Sequence, residues 1–173
     1  MTVVTERRTG TPPYEAYAAI LGVYAGGLGL AGLAARIFDR KPACQTPLDL
    51  VVLAAASFKA ARTVAHDEVT SFLREPFVEG EAHEGNEDPI ATGDYRQAIG
   101  ELVTCSRCGG TWAAAALASA QILSPRFGRL LTWSLAAAGI NDWLQAGFAA
   151  LTEEANESTN PSRRPSRPAA RRA

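Results

Sequence analysis

The stretch AYAAILGVYAGGLGLAGLAA, Ala16 to Ala35, contains no charged residue. A helix rises roughly 1.5 Å per residue, so about 20 such residues cover the roughly 30 Å hydrocarbon core of a bilayer. The run follows Arg7 and Arg8, as the apolar part of a signal peptide would. It is too long for one and lacks a clear small-residue cleavage site, so it is read as retained. Its glycines, Gly22, Gly26, Gly27, Gly29 and Gly32, would each weaken a water-exposed helix by about 1 kcal/mol. In lipid they smooth one face: Gly22 and Gly26 lie four apart, as do Leu28 and Gly32, so a second helix can approach closely. Packing inside the chain is the expected use of that face.

Bulk composition conceals this segregation. The chain has 173 residues, 47% hydrophobic and 20% charged, with a formal net charge of -1. Those averages suit one ordinary domain. The charges, however, gather at the N-terminus, in the middle and in the tail, and they leave the stretches between almost free of charge. Near-neutral net charge gives no basic face for phosphate, so nucleic acid is not an expected partner. Three cysteines, an odd number without an evident cleavable leader, argue against a secreted disulfide framework.

Read outward from the first apolar run, the chain divides into an N-terminal lead (1–13), a transmembrane helical domain (14–152) and a basic tail (153–173) expected to be disordered. The fold class is an all-α integral membrane bundle of about four helices, spanning 16–37, 48–66, 108–124 and 130–151. The second span is imperfect, because Lys59 and Arg62 interrupt it three residues apart, where long stems can extend toward headgroups. An acidic loop, 67–104, follows, with eight Glu or Asp residues between Glu75 and Glu101. Trp112 opens the third span at the depth where aromatic rings meet the interface. Even-numbered crossings put both termini and the acidic loop on one side. That side carries Arg7, Arg8, Arg74, Arg96, Arg107 and five tail arginines, against Arg36, Arg40, Lys41, Arg126 and Arg129 opposite. The excess predicts a multi-pass protein of the cytoplasmic membrane with cytoplasmic termini.

Two segments carry a family likeness. One is Leu48 to Phe77, with Asp49, Ser57-Phe58-Lys59-Ala60-Ala61-Arg62, Asp67 and Leu73-Arg74-Glu75-Pro76-Phe77. The other is Glu101-Leu102-Val103-Thr104-Cys105-Ser106-Arg107-Cys108-Gly109-Gly110-Thr111-Trp112. Together, over roughly Leu48 to Leu151, the chain resembles the Domain of Unknown Function 1360 family, small bacterial membrane proteins that include a sporulation membrane protein. Lys59 stands where that family usually has arginine, and Ser106-Arg107 and Thr111 replace more apolar or aromatic residues. The resemblance implies a membrane setting and a charged cluster of Arg62, Asp67 and Arg74; it implies no reaction.

Cys105 and Cys108 form the sharpest local signal. At the start of a helix, backbone N–H groups and the positive end of the dipole favour a thiolate at Cys105, and Arg107 adds a positive charge. A redox pair is chemically reasonable, with Cys44 as a conceivable partner, although the topology puts Cys44 on the opposite face. Zinc is the other use of such a pair. It needs four ligands, for which only His66 and His83, or a second chain's thiolates, are at hand. The plainer reading is of small semi-polar residues packing a helix entrance. Asp142 is a carboxylate within an apolar span, costly unless paired, and Lys59 and Arg62 are its candidate intramembrane partners. Arg62, Asp67 and Arg74 are expected to snorkel and cap the second helix. The expected partners are the lipid bilayer and a second copy or another membrane protein, and the expected role is non-enzymatic. The alternative is a membrane thiol oxidoreductase or metal-binding protein built on the cysteine pair.

Overall fold

Pro12 and Pro13 cannot continue a helix backwards, and the chain turns helical immediately after them. The computed structural model describes residues 12–40, 46–80 and 86–159. Helix α1 covers Tyr14–Ile37, with Glu15 in its first turn and Arg36 in its last, each favourable to the helix dipole. Among the described residues it is the one helix long and apolar enough to cross a membrane, by length and composition. The chain divides into two compact units, Met1–Gly139 and Ile140–Ala173.

Within the first unit, α1 lies against α5 (Ser106–Leu123) and α4 (Tyr95–Thr104). Its glycines do not make that contact. A Cβ added at Gly22, Gly26, Gly27, Gly29 or Gly32 meets nothing within 4 Å. The expectation that the glycine face packs inside the chain is therefore corrected: α1 approaches its neighbours through Ala16, Tyr17 and Tyr24 instead. Gly26→Ala is expected to leave the monomer folded and to raise its unfolding free energy by up to about 1 kcal/mol, through helix propensity alone. Denaturant titration in detergent reads this directly, and a loss of stability would mean that something outside the chain occupies the face.

Helix α2, Pro47–His66, opens with a reciprocal cap. Thr46 Oγ1 accepts from the Asp49 N–H at 3.2 Å, and Asp49 Oδ2 accepts from the Thr46 N–H at 3.0 Å. Two of the donors a helix start leaves over are thus satisfied, and Pro47 supplies a residue that lacks one. The helix buries Val52, Ala56, Ser57, Ala61 and Ala65, a stripe at steps of four residues, with Ala56 and Ser57 adjacent, on the helix that packs against α5. Val52, Ala56, Leu117 and Ala136 form the core, the last of these from α6. Helix α6 covers Pro125–Thr159. It continues past Glu153, where the polar tail was expected to begin, because Glu and Ala are good helix formers whatever their polarity. Residues 160–173 lie outside the described residues.

The α5–α6 turn is tight. A Cβ on Gly128 would lie 2.5 Å from the Ala120 carbonyl carbon and from Gln121 Cα. Thr132 is fully buried there; its hydroxyl donates to Gly128 O at 2.7 Å and accepts from Gln121 Nε2 at 2.9 Å. Further along, Gly139 lets α6 approach α2, with a built Cβ 3.2 Å from Lys59 Cβ and 3.3 Å from Ala55 O.

The stretch 67–104, expected as a loop, is largely folded. A 3-10 turn (Glu68–Thr70), the short helix α3 (Ser71–Arg74) and a second 3-10 turn (Glu75–Phe77) lead to strand β1, Val78–Glu79. Antiparallel pairing sets Val78 against Pro89 and Glu79 against Asp88 of β2, Asp88–Pro89. Asp94 then caps α4, accepting from Arg96 N at 2.8 Å and from the Thr92 hydroxyl. The Thr92 hydroxyl, followed by the Arg96 N–H, holds the Asp94 carboxyl below the usual carboxylate range. The charge-assisted cap therefore contributes above the ordinary Asp range and is lost only as pH falls through the depressed value. Gly100 is required where α4 meets the ladder, since a Cβ would sit 2.5 Å from Phe77 O and 3.1 Å from Pro89 Cβ.

Small side chains lie inside and many large apolar ones outside. The interior is mostly alanine, with Ala56 at 0% exposure and Ala136 at 2%, while Leu21, Leu30, Leu50 and Leu130 are each 65–68% exposed. In the second unit, Trp143, Leu144, Phe148 and Leu151 are exposed as well.

Candidate functional site

Two groupings of chemistry-bearing side chains stand out in the first unit. The first is centred on Arg74, which has no solvent exposure. The last carbonyls of α2 have no partner within the helix. Arg74 Nη1 takes them up, donating to Val64 O at 2.6 Å and Asp67 O at 3.1 Å. Thr70 helps. Its hydroxyl donates to Thr63 O at 2.6 Å and to Asp67 O at 2.9 Å, and accepts from Arg74 Nη1 at 3.0 Å. The guanidinium charge is met by Glu87, whose Oε2 accepts from Nε at 2.8 Å and lies 2.7 Å from Nη2. Nη2 makes that ion pair without a hydrogen bond of good geometry.

Of the charged cluster expected from the family likeness, Asp67 and Arg74 are brought together, through the Asp67 backbone carbonyl. The Asp67 carboxylate faces Lys59 Nζ at 3.8 Å. Arg62 points outward from α2 and is exposed. Arg74 folds inward, where it caps the end of α2 through the Val64 and Asp67 carbonyls and pairs with Glu87. Asp142 lies on α6 in the second unit.

The second grouping surrounds the cysteine pair. Cys105 separates α4 from α5 and is the N-cap of α5, its Sγ accepting from Cys108 N at 3.3 Å. Both thiols are free; Cys105 is half-buried and Cys108 exposed. The Cys108 thiol lies beside the Cys105 sulfur as the largest influence on its acidity. That thiol first, then the Cys108 backbone N–H, the Arg107 N–H and the Arg107 charge, hold the Cys105 thiol below the ordinary range.

Cys108 lines a cleft of about 340 Å³ together with Tyr17, Tyr24, Glu101, Thr111 and Trp112. Tyr17 donates its hydroxyl to Glu101 Oε2, and Gln97 Nε2 donates to Glu101 Oε1 at 2.9 Å. Trp112, expected at an interface, is half-buried and meets Tyr24 edge to face, with ring centroids 5.2 Å apart. Across Trp112 a second cleft of about 350 Å³ is almost wholly apolar, bounded by Ala60, Ala61, Val64, Leu102 and Gly109. Glu101 opens the second family segment, but no motif links it to Tyr17. Among the described residues no three His, Cys, Asp or Glu side chains converge to hold a metal ion. His83 and Cys44 lie outside the described residues, and His66 is exposed at the end of α2.

Comparison with known proteins places this architecture. The family model for a protein of unknown function, DUF1360, matches residues 52–148. A curated relative, the sporulation protein YjcA of Bacillus subtilis (strain 168), is 32% identical over 117 residues, covering 57% of this chain and 95% of that protein. No solved structure matches the chain. The matched segment begins within α2 and ends in α6. It therefore contains the arginine and cysteine groupings and leaves α1 outside.

Proposed function

This chain belongs to the DUF1360 family, and on that premise we propose that it is a multi-pass integral membrane protein acting through protein and lipid contacts. The observation that carries the reading is the inverted core. Side chains as large as Leu21, Leu30, Val51, Leu130 and Trp133 face outward, while most of the buried apolar residues are alanines. In water such a surface far exceeds the apolar patches that monomers tolerate. In lipid it needs no cover, and small inward residues are what lets helices associate by close van der Waals contact. The length and composition of α1 support the same reading. The proposed bundle uses α1, α2, α5 and α6 as its crossings, with the folded 67–104 segment and both termini on the cytoplasmic side.

The Bacillus relative is a sporulation protein, and we extend that setting to this chain as a proposal: an envelope protein that serves a partner rather than a substrate. The partner is a second copy or another membrane protein.

Fractionation tests the premise. The expressed chain is expected to remain with membranes through a carbonate wash and to need detergent for extraction; release into the wash, or a monomer soluble in plain buffer, refutes it. A reporter fused after Arg172 that is active only outside the cytoplasm would refute the orientation while leaving the membrane assignment intact.

A further inference from the structure

We propose that Cys105 and Cys108 form a reactive dithiol that exchanges with low-molecular-weight disulfides, Cys105 as the attacking sulfur and Cys108 as the resolving one. The geometry starts from the α5 N-terminus. An N-cap side chain and the residue three positions on face each other across the first turn, and here the Cys105 sulfur already receives the Cys108 N–H at 3.3 Å. That bond holds the Cys105 sulfur over the first turn of α5, one helical turn from Cys108, a spacing whose short Cα separation a disulfide can span. The second observation is access. Cys105 is half-buried, so its sulfur is partly open to solvent, and Cys108 is exposed and forms part of the wall of the cleft of about 340 Å³ beside Tyr17, Glu101 and Trp112.

The assignment of roles follows from which sulfur is stabilised as an anion. Cys105, the N-cap of α5, accepts the Cys108 N–H at its sulfur and has Arg107 two residues on, whereas among the described residues the Cys108 sulfur has no such donor. The exchange then runs in two displacements. The Cys105 thiolate attacks one sulfur of the external disulfide, forming a mixed disulfide and expelling one thiolate. Cys108, deprotonated, attacks the Cys105 sulfur and expels the second thiolate. The protein loses two electrons and two protons as its S–S bond forms, and the external disulfide is reduced to two thiols.

In a cytoplasmic setting such bonds are transient and sensing rather than structural. The inference goes beyond the proposed membrane role and does not depend on it, because its readout is thiol chemistry on the purified chain.

The test uses full-length protein in detergent carrying Cys44→Ser, with oxidised glutathione as the probe. The expected product by intact mass is a chain lighter by two hydrogens with no glutathione retained. Cys108→Ser is expected to trap one glutathione on Cys105. Cys105→Ser is expected to react at Cys108 about tenfold more slowly at neutral pH, as a thiol without an activated sulfur would. Helical circular dichroism of both variants confirms that they remain folded. Trapping by Cys105→Ser instead of Cys108→Ser overturns the assignment of roles. Retention of two separate glutathiones by the Cys44→Ser protein, or no reaction at all, overturns the exchange site itself.

Discussion

Arg74→Ala is expected to destabilise the first unit by about 3–5 kcal/mol, the range found when one member of a buried ion pair is removed. The loss has three parts. Glu87, whose side chain is only 11% exposed, is left as an uncompensated carboxylate. The carbonyls of Val64 and Asp67 lose their Nη1 donor at the end of α2. The fully buried space of the side chain empties. Arg74→Lys restores the charge but not the fork, since an ammonium cannot serve the two carbonyls and the carboxylate in their separate directions. It is expected to recover less than half of the loss. Glu87→Gln combined with Arg74→Ala should cost less than the sum of the single changes, because the two residues share one interaction. Denaturant unfolding of the four proteins in the same detergent completes the cycle; additive effects would show that the pair is not coupled.

Gly128→Ala is expected to cost about 2–3 kcal/mol although alanine is the better helix former. The added methyl meets Ala120 and Gln121 backbone atoms at 2.5 Å, and backbone cannot rotate out of the way as a side chain can. Relief requires α5 and α6 to separate at their turn, which also pulls the Thr132 hydroxyl away from Gln121. Overpacking of this kind outweighs the roughly 1 kcal/mol that propensity returns. Thermal unfolding distinguishes the outcomes: a raised midpoint would mean that the turn is more pliable than its geometry implies. The contrast with Gly26, where a Cβ meets nothing, makes the pair of substitutions internally controlled.

Local signals were readable from residues alone, and relations across distance were not. Helix α1 follows from an uncharged run, and the cysteine pair at the start of a helix follows from a motif whose capping role is set within four residues. Helix α4 was hidden because the acidity of 67–104 dominates its average, although Asp94 as a cap and the closely spaced Gln97, Ala98 and Gly100 mark one buried face. The Arg74–Glu87 ion pair joins residues thirteen apart through a two-residue ladder, and nothing in the acidic stretch singles out Glu87 from its neighbours. The Tyr17–Glu101 contact spans 84 positions. It arises from the way α1 lies against α4, which periodicity cannot specify. The extension of α6 to Thr159 was missed for a different reason: polarity was read as disorder, whereas Glu and Ala oppose burial or are neutral to it without opposing helix.

The alanine interior has a bearing on how this chain can vary. Where helices touch through methyl groups, a core position has little slack for a larger residue, so Ala56 and Ala136 should tolerate almost no replacement but glycine or serine. Leucines and phenylalanines on the outer faces, which on the proposed membrane reading meet hydrocarbon, should then interchange freely. Saturation mutagenesis would then draw a map opposite to that of a cytosolic enzyme, with permissive bulky sites surrounding a strict lattice of the smallest side chains.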